Sequence, residues 1–70
     1  MNLLSATPGT EYIIQRIDTN DAELDAFLFS LGCYTGEPIT LITRRTGTCV
    51  VSIKDSRYAI DNQLAKAIRV

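Results

Sequence analysis

The side chains of this chain that could act as covalent nucleophiles are the thiols of Cys33 and Cys49 and the serine hydroxyls, and the sequence contains no histidine. A serine or cysteine nucleophile needs a neighbouring base or a group that stabilises the thiolate, and the sequence predicts neither beside these residues. The cysteines also lack the Cys-x-x-Cys spacing of redox and zinc sites. We therefore expect two reduced thiols that act as small hydrophobic residues, and a chain that is not an enzyme.

Three aspartates, Asp18, Asp21 and Asp25, cluster where the sequence predicts the start of a helix. Such carboxylates could bind a divalent cation together. Carboxylates at a helix N-terminus also cap free backbone amides and interact favourably with the helix dipole. The second interpretation is the simpler one, so the sequence predicts no resident metal. It contains no phosphate-binding glycine loop, and we expect no cofactor.

Basic side chains gather in the second half of the chain, where Arg44 and Arg45 flank a predicted hairpin tip and Lys54 and Arg57 follow at the next turn. They could form a basic finger that contacts an acidic partner surface or a nucleotide phosphate. The alternative is that they keep an exposed hairpin end soluble. We expect no nucleic-acid partner, because the formal net charge is −1.

Acidic and basic residues are unevenly distributed along the chain. Residues 1–37 carry six acidic side chains and one basic, whereas residues 38–70 carry six basic and two acidic. Such a division could steer a partner of complementary charge. The alternative is that the two halves attract each other in the folded domain.

One amphipathic helix is predicted over residues 21–31. Its apolar stripe has the spacing i, i+3, i+4, i+7 and consists of Leu24, Phe27, Leu28 and Leu31. Asn20 is predicted to be the N-cap, with Glu23 completing a capping box, and Gly32 is placed to end the helix.

A second apolar stripe lies on the other side of this helix and consists of Ala22, Ala26 and Phe29. An aromatic side chain among small residues is suited to anchor a partner. The alternative is that the N-terminal lead, with Leu3 and Leu4, folds over this face. The predicted partner-binding residues are therefore Ala22, Ala26, Phe29, Arg44 and Arg45.

The rest of the sequence predicts a mainly β fold. Alternating apolar residues and turn signals predict five strands, near residues 11–18, 39–44, 48–54, 57–60 and 67–70, and a helical turn over residues 62–66 capped by Asp61. A chain of 70 residues forms one domain, over residues 1–70. We expect a five-stranded, partly open barrel with one helix between the first two strands and a short helical turn before the last strand.

Four motifs in this order resemble the ferrous iron transport protein A (FeoA) family. They are Leu-Ser-Ala-Thr-Pro-Gly at residues 4–9 before Tyr-Ile-Ile at 12–14, Leu-Phe-Ser-Leu-Gly at 28–32 before Gly36, Ile-Thr-Leu-Ile at 39–42 with Val-Val-Ser-Ile at 50–53, and Tyr-Ala-Ile at 58–60 before the closing residues 64–70. The resemblance covers nearly the whole chain.

The resemblance implies an SH3-like barrel and a cytosolic accessory role. The partner would be a membrane ferrous iron transporter that carries a GTP-binding domain, so that contact with the membrane would be only through this partner. The same domain type occurs at the C-terminus of iron-dependent repressors, and the alternative function is therefore metal sensing or iron delivery. No signal peptide or membrane span is predicted, and we expect a cytoplasmic location.

Overall fold

A computed structural model describes residues 1–70 and shows a mainly β fold. After a 3-10 turn at Leu3–Ser5, the elements are β1 (Glu11–Ile13), β2 (Arg16–Ile17), α1 (Ala22–Ser30), β3 (Pro38–Arg45), β4 (Thr48–Ile53), β5 (Ser56–Asp61), α2 (Asn62–Ala67) and β6 (Ile68–Arg69). One antiparallel sheet has the order β1-β3-β4-β5, and β2 pairs with β6 in a second sheet. Together the sheets form the partly open barrel that the sequence predicts.

The single first strand predicted over residues 11–18 is wrong, because this segment forms two strands that join different sheets. Between them, the Ile14 amide donates to the Glu37 carbonyl at 2.9 Å, and the Gln15 amide donates to the Arg69 carbonyl at 2.7 Å. The chain thus changes its partner strand at these two residues, while Ile14 remains buried in the core. The barrel consequently has six strands rather than five.

Helix α1 and its N-cap both begin one residue later than predicted. Asp21, and not Asn20, is the N-cap, and its Oδ1 accepts hydrogen bonds from the amides of Glu23 at 2.9 Å and Leu24 at 3.2 Å. Asn20 instead has a φ of +57°, a left-handed conformation that asparagine tolerates in a turn. The predicted capping box is therefore replaced by a single aspartate cap.

The end of α1 agrees with the prediction from Gly32. This glycine has a φ of +91°, its amide donates to the Phe29 carbonyl, and the Cys33 amide donates to the Leu28 carbonyl, both at 2.9 Å. These two bonds define a Schellman motif, in which a glycine ends the helix and the next residue contacts the last turn. Cys33 and Leu28, the pair expected to touch in this motif, are both buried.

The predicted buried stripe of α1 is mostly wrong. Only Leu28 of the four residues is buried, whereas Leu24 is 39% and Phe27 is 47% exposed. Helix α1 lies at the periphery of the barrel and inserts one side chain, that of Leu28, into it. The predicted apolar stripe is wide enough for a helix packed between two layers of protein, but α1 contacts only one layer. The amphipathic pattern predicted the helix correctly but overestimated how deeply it is buried.

The central hairpins follow the alternating pattern closely. Cys49, Val51 and Ile53 of β4 point into the core and alternate with half-buried residues. The turn between β4 and β5 consists of Lys54 and Asp55, with φ values of +49° and +67°, whereas the predicted strand ranges place this turn at residues 55 and 56. Positive φ at both central residues is the geometry of the tight hairpin turn that matches strand twist.

The N-terminal lead completes the core. Leu3 is fully buried, and its 3-10 turn packs against α2. Asp61 caps α2 as predicted, through a 2.8 Å bond from the Leu64 amide to its Oδ1. The Val70 amide donates to the Met1 carbonyl at 3.0 Å, so the two ends of the chain lie side by side.

Candidate interaction surfaces

Phe29 is the most exposed large hydrophobic residue of the molecule, with 64% of its surface accessible. Its ring packs on Tyr34, with centroids 4.8 Å apart and planes inclined by 31°. Ala22 and Ala26, the other residues of the predicted outer stripe, are also exposed on α1. We name the surface formed by Ala22, Ala26, Phe29 and Tyr34 the α1 face.

The alternative that the N-terminal lead covers this face does not hold. The lead packs against α2, and Leu3 enters the core there. Phe29 remains exposed, and Ala26, one turn before it on α1, is too short to shield its ring.

Tyr34 is the residue of this surface that the sequence analysis missed. It is held in place by Lys54, whose Nζ lies 5.4 Å from the ring centroid and donates to Glu37 Oε1. The aliphatic part of Lys54 crosses Gly32 so closely that a Cβ on this glycine would lie 3.0 Å from the lysine Cδ. The sequence feature that could have identified Tyr34 is its place two positions after a helix-ending glycine, where side chains often pack against the last helical turn.

The ion pair between Glu37 and Lys54 should be detectable as a shift in the pKa of Glu37. The Lys54 ammonium, and secondly the Tyr34 hydroxyl, hold the pKa of Glu37 below its usual range. Because the pKa is lower in the folded chain than in the unfolded chain, the pair stabilises the fold above the unfolded pKa and ceases to do so as the pH falls through the folded pKa. Lys54→Met is expected to move the pKa of Glu37 up toward its ordinary value, as measured by carboxyl carbon NMR.

Arg57→Met is the matched control for this titration, since Arg57 is an exposed cation on the strand that follows the same turn. It is expected to leave the Glu37 titration unchanged. If Glu37 titrates at the same pH in the Lys54→Met variant as in the original chain, the lysine is not the cause of the shift.

The predicted basic finger is divided by the topology. Arg45 pairs with Thr48 at one end of β4, whereas Lys54 follows Ile53 at its other end, a distance of about 20 Å for a strand of this length. Arg57 lies beside Ser52, near Lys54. The sequence interpretation placed these four cations together, but successive hairpin turns lie at opposite ends of their shared strand.

The Arg44 side chain binds the N-terminal lead. Its Nε donates to the Leu4 carbonyl at 2.8 Å, and its Nη2 donates to the Ala6 carbonyl at 2.7 Å. Arg45 is exposed and makes no such bond. The role of these two residues in partner binding stays a prediction, and only Arg45 has its guanidinium free for it.

The aspartates at the start of α1 each have a local partner. Asp21 caps the helix, Asp18 pairs with Arg16 at 2.9 Å, and Asp25 accepts a hydrogen bond from the Thr19 hydroxyl. Histidine, cysteine, aspartate and glutamate side chains nowhere form a group of three or more that could hold a metal ion. This arrangement favours the capping interpretation over a cation site.

Both thiols lie in the core. Burial raises the pKa of the Cys33 thiol to about 11, and burial likewise raises the pKa of Cys49, with the nearby Arg44 acting in the opposite direction. The Cys49 thiol donates to Asn62 Oδ1 at 3.3 Å. A protonated, buried thiol is a poor nucleophile and a poor metal ligand, so the cysteines serve packing.

A shallow groove of about 390 Å³ lies between the start of α1 and α2. Leu24, Leu64 and Ala67 form its apolar lining, and its polar lining includes Asp18, Asp61 and Lys66. Leu24 is exposed because it faces this groove rather than the core.

None of the helices in the structure is long and apolar enough to cross a membrane.

The fold and these surfaces define the class of protein. The chain is a small SH3-like β domain whose most distinctive surface is the exposed Phe29 ring of its longer helix, packed on the half-buried Tyr34 that follows the helix. The model of the FeoA domain matches residues 1–70, and the chain therefore belongs to the FeoA domain family, whose members are SH3-like accessory modules associated with ferrous iron transport. This confirms the resemblance carried by the four sequence motifs.

Solved structures support the same fold. An iron uptake regulatory protein (FeoA) is 26% identical, with a TM-score of 0.83 and coverage of 97% of this chain and 89% of its own. Zinc-complexed FeoA from Stenotrophomonas maltophilia is 19% identical, with a TM-score of 0.83 and coverage of 97% and 86%. A manganese-dependent transcriptional repressor is 21% identical, with a TM-score of 0.87, and this chain matches 39% of its length.

At these identities the zinc-complexed protein and the repressor show the fold alone, and the repressor is much longer than this chain. Comparison with curated protein sequences returned no match. The family membership thus rests on the full-length match to the FeoA domain.

Proposed function

We propose that this domain is a cytosolic accessory module that docks on a bacterial ferrous iron transporter carrying a GTP-binding domain. Membership of the FeoA family supports the link to ferrous iron transport. The FeoA protein of S. maltophilia is described as a candidate activating factor of bacterial ferrous iron transport. The observation that carries the docking proposal is the exposed Phe29 ring, fixed on Tyr34.

The α1 face has the physical properties of a docking anchor. Aromatic residues contribute a large share of binding free energy when a partner removes them from water. Phe29 already rests on Tyr34, which Lys54 and Glu37 hold in place, so binding would order few side chains. The alanines beside Phe29 allow a partner backbone or side chain to approach α1 closely.

Phe29→Glu tests this proposal. The substitution places a charge where the partner would bury a ring, and we expect it to weaken binding to the purified cytosolic region of the transporter at least about tenfold, or about 1.4 kcal/mol. The fold should be retained, because Phe29 is exposed. Binding is measured by isothermal titration calorimetry, and folding by circular dichroism.

Phe27→Glu is the matched control, since Phe27 is an exposed phenylalanine on the same helix but outside the α1 face. It is expected to bind within about threefold of the original chain, since exposed substitutions away from an interface change free energies by about 0.5 kcal/mol. Equal binding by Phe29→Glu and the original chain would remove the α1 face from the contact. Absence of binding by the original chain would contradict docking itself.

A further inference from the structure

Strand β5 forms one edge of the four-stranded sheet, since it pairs with β4 and no other strand lies beside it. In an antiparallel pair, alternate residues direct their amides and carbonyls toward the partner strand and away from it. The Asn62 amide donates to the Gly47 carbonyl at 3.2 Å, which fixes this alternation. The even-numbered residues of β5 therefore bond β4, and the backbone groups of Arg57, Ala59 and Asp61 point outward.

This edge carries few of the features that normally prevent strand pairing. Edges are usually protected by short strands, prolines, bulges, inward-pointing charges or charged side chains along the edge. Of these features, β5 has the exposed charges of Arg57 and Asp61. β5 has six residues, no proline and an uninterrupted register with β4. The opposite edge of the sheet, β1, has only three residues.

We propose that β5 pairs antiparallel with β5 of a second copy of this chain, around a two-fold axis at Ala59. This inference does not depend on the proposed function, because β5 and the α1 face share no residue. Across the axis, the Ala59 residues of the two copies exchange both of their outward backbone hydrogen bonds. On each side of them, the Asp61 amide of one copy donates to the Arg57 carbonyl of the other.

The side chains of the edge are self-complementary in this register. Arg57, Ala59 and Asp61 are exposed, and strand alternation puts them on one face of the sheet. Pairing around Ala59 places Arg57 of each copy opposite Asp61 of the other, on both sides of two small alanines. Cross-strand pairs of opposite charge favour a register, and like charges placed opposite each other disfavour one.

The neighbouring registers are less favourable. A shift by one residue would place inward-bonded residues at the interface, because only alternate amides point outward. Pairing Arg57 with Ala59 would bring Asp61 opposite Asp55 of the other copy. Pairing Ala59 with Asp61 would require strand geometry from Gln63, which lies in α2. The register around Ala59 is thus the one in which outward amides meet outward carbonyls and opposite charges face each other. A two-fold interface of this kind forms a closed dimer.

Crosslinking tests the register directly. A hydrogen-bonded antiparallel pair places Cα atoms about 5.5 Å apart, within the range that a disulfide spans. Ala59→Cys is therefore expected to form a covalent dimer on mild oxidation. Ser56→Cys is the control on the same strand, because its two copies would lie about 20 Å apart in this register. Cys33 and Cys49 are buried and should not contribute.

Sedimentation equilibrium of the full chain measures the dimer itself. Ala59→Pro removes an outward amide but no bond to β4, and is expected to weaken dimerisation at least tenfold. Arg57→Glu should weaken it to a similar degree. Asp61→Asn removes the charge while keeping an oxygen that can cap α2, so it should weaken the dimer at least threefold while α2 remains folded.

Three outcomes would overturn this proposal. The first is an original chain that remains monomeric at the highest concentration its solubility allows, which would leave the edge to a strand of another protein or to solvent. The second is a dimer that Ala59→Pro and Arg57→Glu do not affect. The third is Ser56→Cys crosslinking as fast as Ala59→Cys. None of these results would bear on docking through Phe29, which is measured with Phe29→Glu.

Discussion

Replacing Leu41 by alanine is expected to leave the protein largely unfolded or close to it at room temperature. Leu41 is fully buried in β3, the strand that pairs with both β1 and β4. Truncation of a buried leucine to alanine costs about 2–5 kcal/mol, since the apolar contacts are lost and a cavity remains. A single core in a domain of this size supplies only about 3–5 kcal/mol. The loss is therefore comparable to the whole stability.

Urea denaturation followed by circular dichroism measures this effect. Ile42→Ala is the matched control, because Ile42 is the next residue of the same strand but is only half-buried and lies at a bulge in the pairing of β3 with β4. It is expected to cost about 1 kcal/mol. A Leu41→Ala variant no less stable than Ile42→Ala would show that the core tolerates the cavity, and that β3 is not its centre.

The strands were predictable because the residues that indicate each strand are neighbours in the sequence. Cys49, Val51 and Ile53 share one face of the strand predicted over residues 48–54, and the opposite face with Val50, Ser52 and Lys54 is the more polar of the two. Gly32 could be assigned to a helix end because no other residue adopts its conformation as readily. The division of the first strand was not predictable, since it depends on bonds from Ile14 and Gln15 to segments that are distant in sequence.

The burial of α1 was not predictable for a related reason. The spacing of apolar residues shows that a helix has an apolar side, but it does not show how much protein lies beneath that side. In this domain α1 contacts the barrel through Leu28, and Leu24 faces the groove beside α2. Helical periodicity alone cannot distinguish such a peripheral helix from one that lies between two layers.

The exposure of Phe29 was predictable from the sequence, whereas its part in partner binding stays a prediction. Phe29 was separated from the predicted core stripe by its angle around the helix, and it is indeed exposed. Tyr34 was missed because its contact with Phe29 depends on the turn after Gly32. The environment of Arg44 was also missed, because its hydrogen-bond partners lie about 40 residues away in the lead.

Arg44→Ala is expected to lower the free energy of unfolding by about 2 kcal/mol, whereas Arg45→Ala should change it by less than about 0.5 kcal/mol. The Arg44 guanidinium bonds the carbonyls of Leu4 and Ala6 and so fixes the lead whose Leu3 fills the core. Hydrogen bonds from a charged donor contribute about 1.5–3 kcal/mol each when protected, and solvent reduces this where the side chain is exposed.

Amide hydrogen exchange distinguishes this role from a general effect of charge. In Arg44→Ala, the Ala6 amide, which donates to the Leu3 carbonyl at 3.0 Å, should exchange faster relative to amides of β4. Arg45→Ala removes the same charge from the adjacent position and should leave that exchange unchanged. Equal effects of the two substitutions would mean that Arg44 acts through its charge alone. A larger effect of Arg44→Ala on both stability and exchange would show that this residue holds the N-terminal lead on the barrel. In this arrangement the lead packs on α2 and leaves Phe29 uncovered.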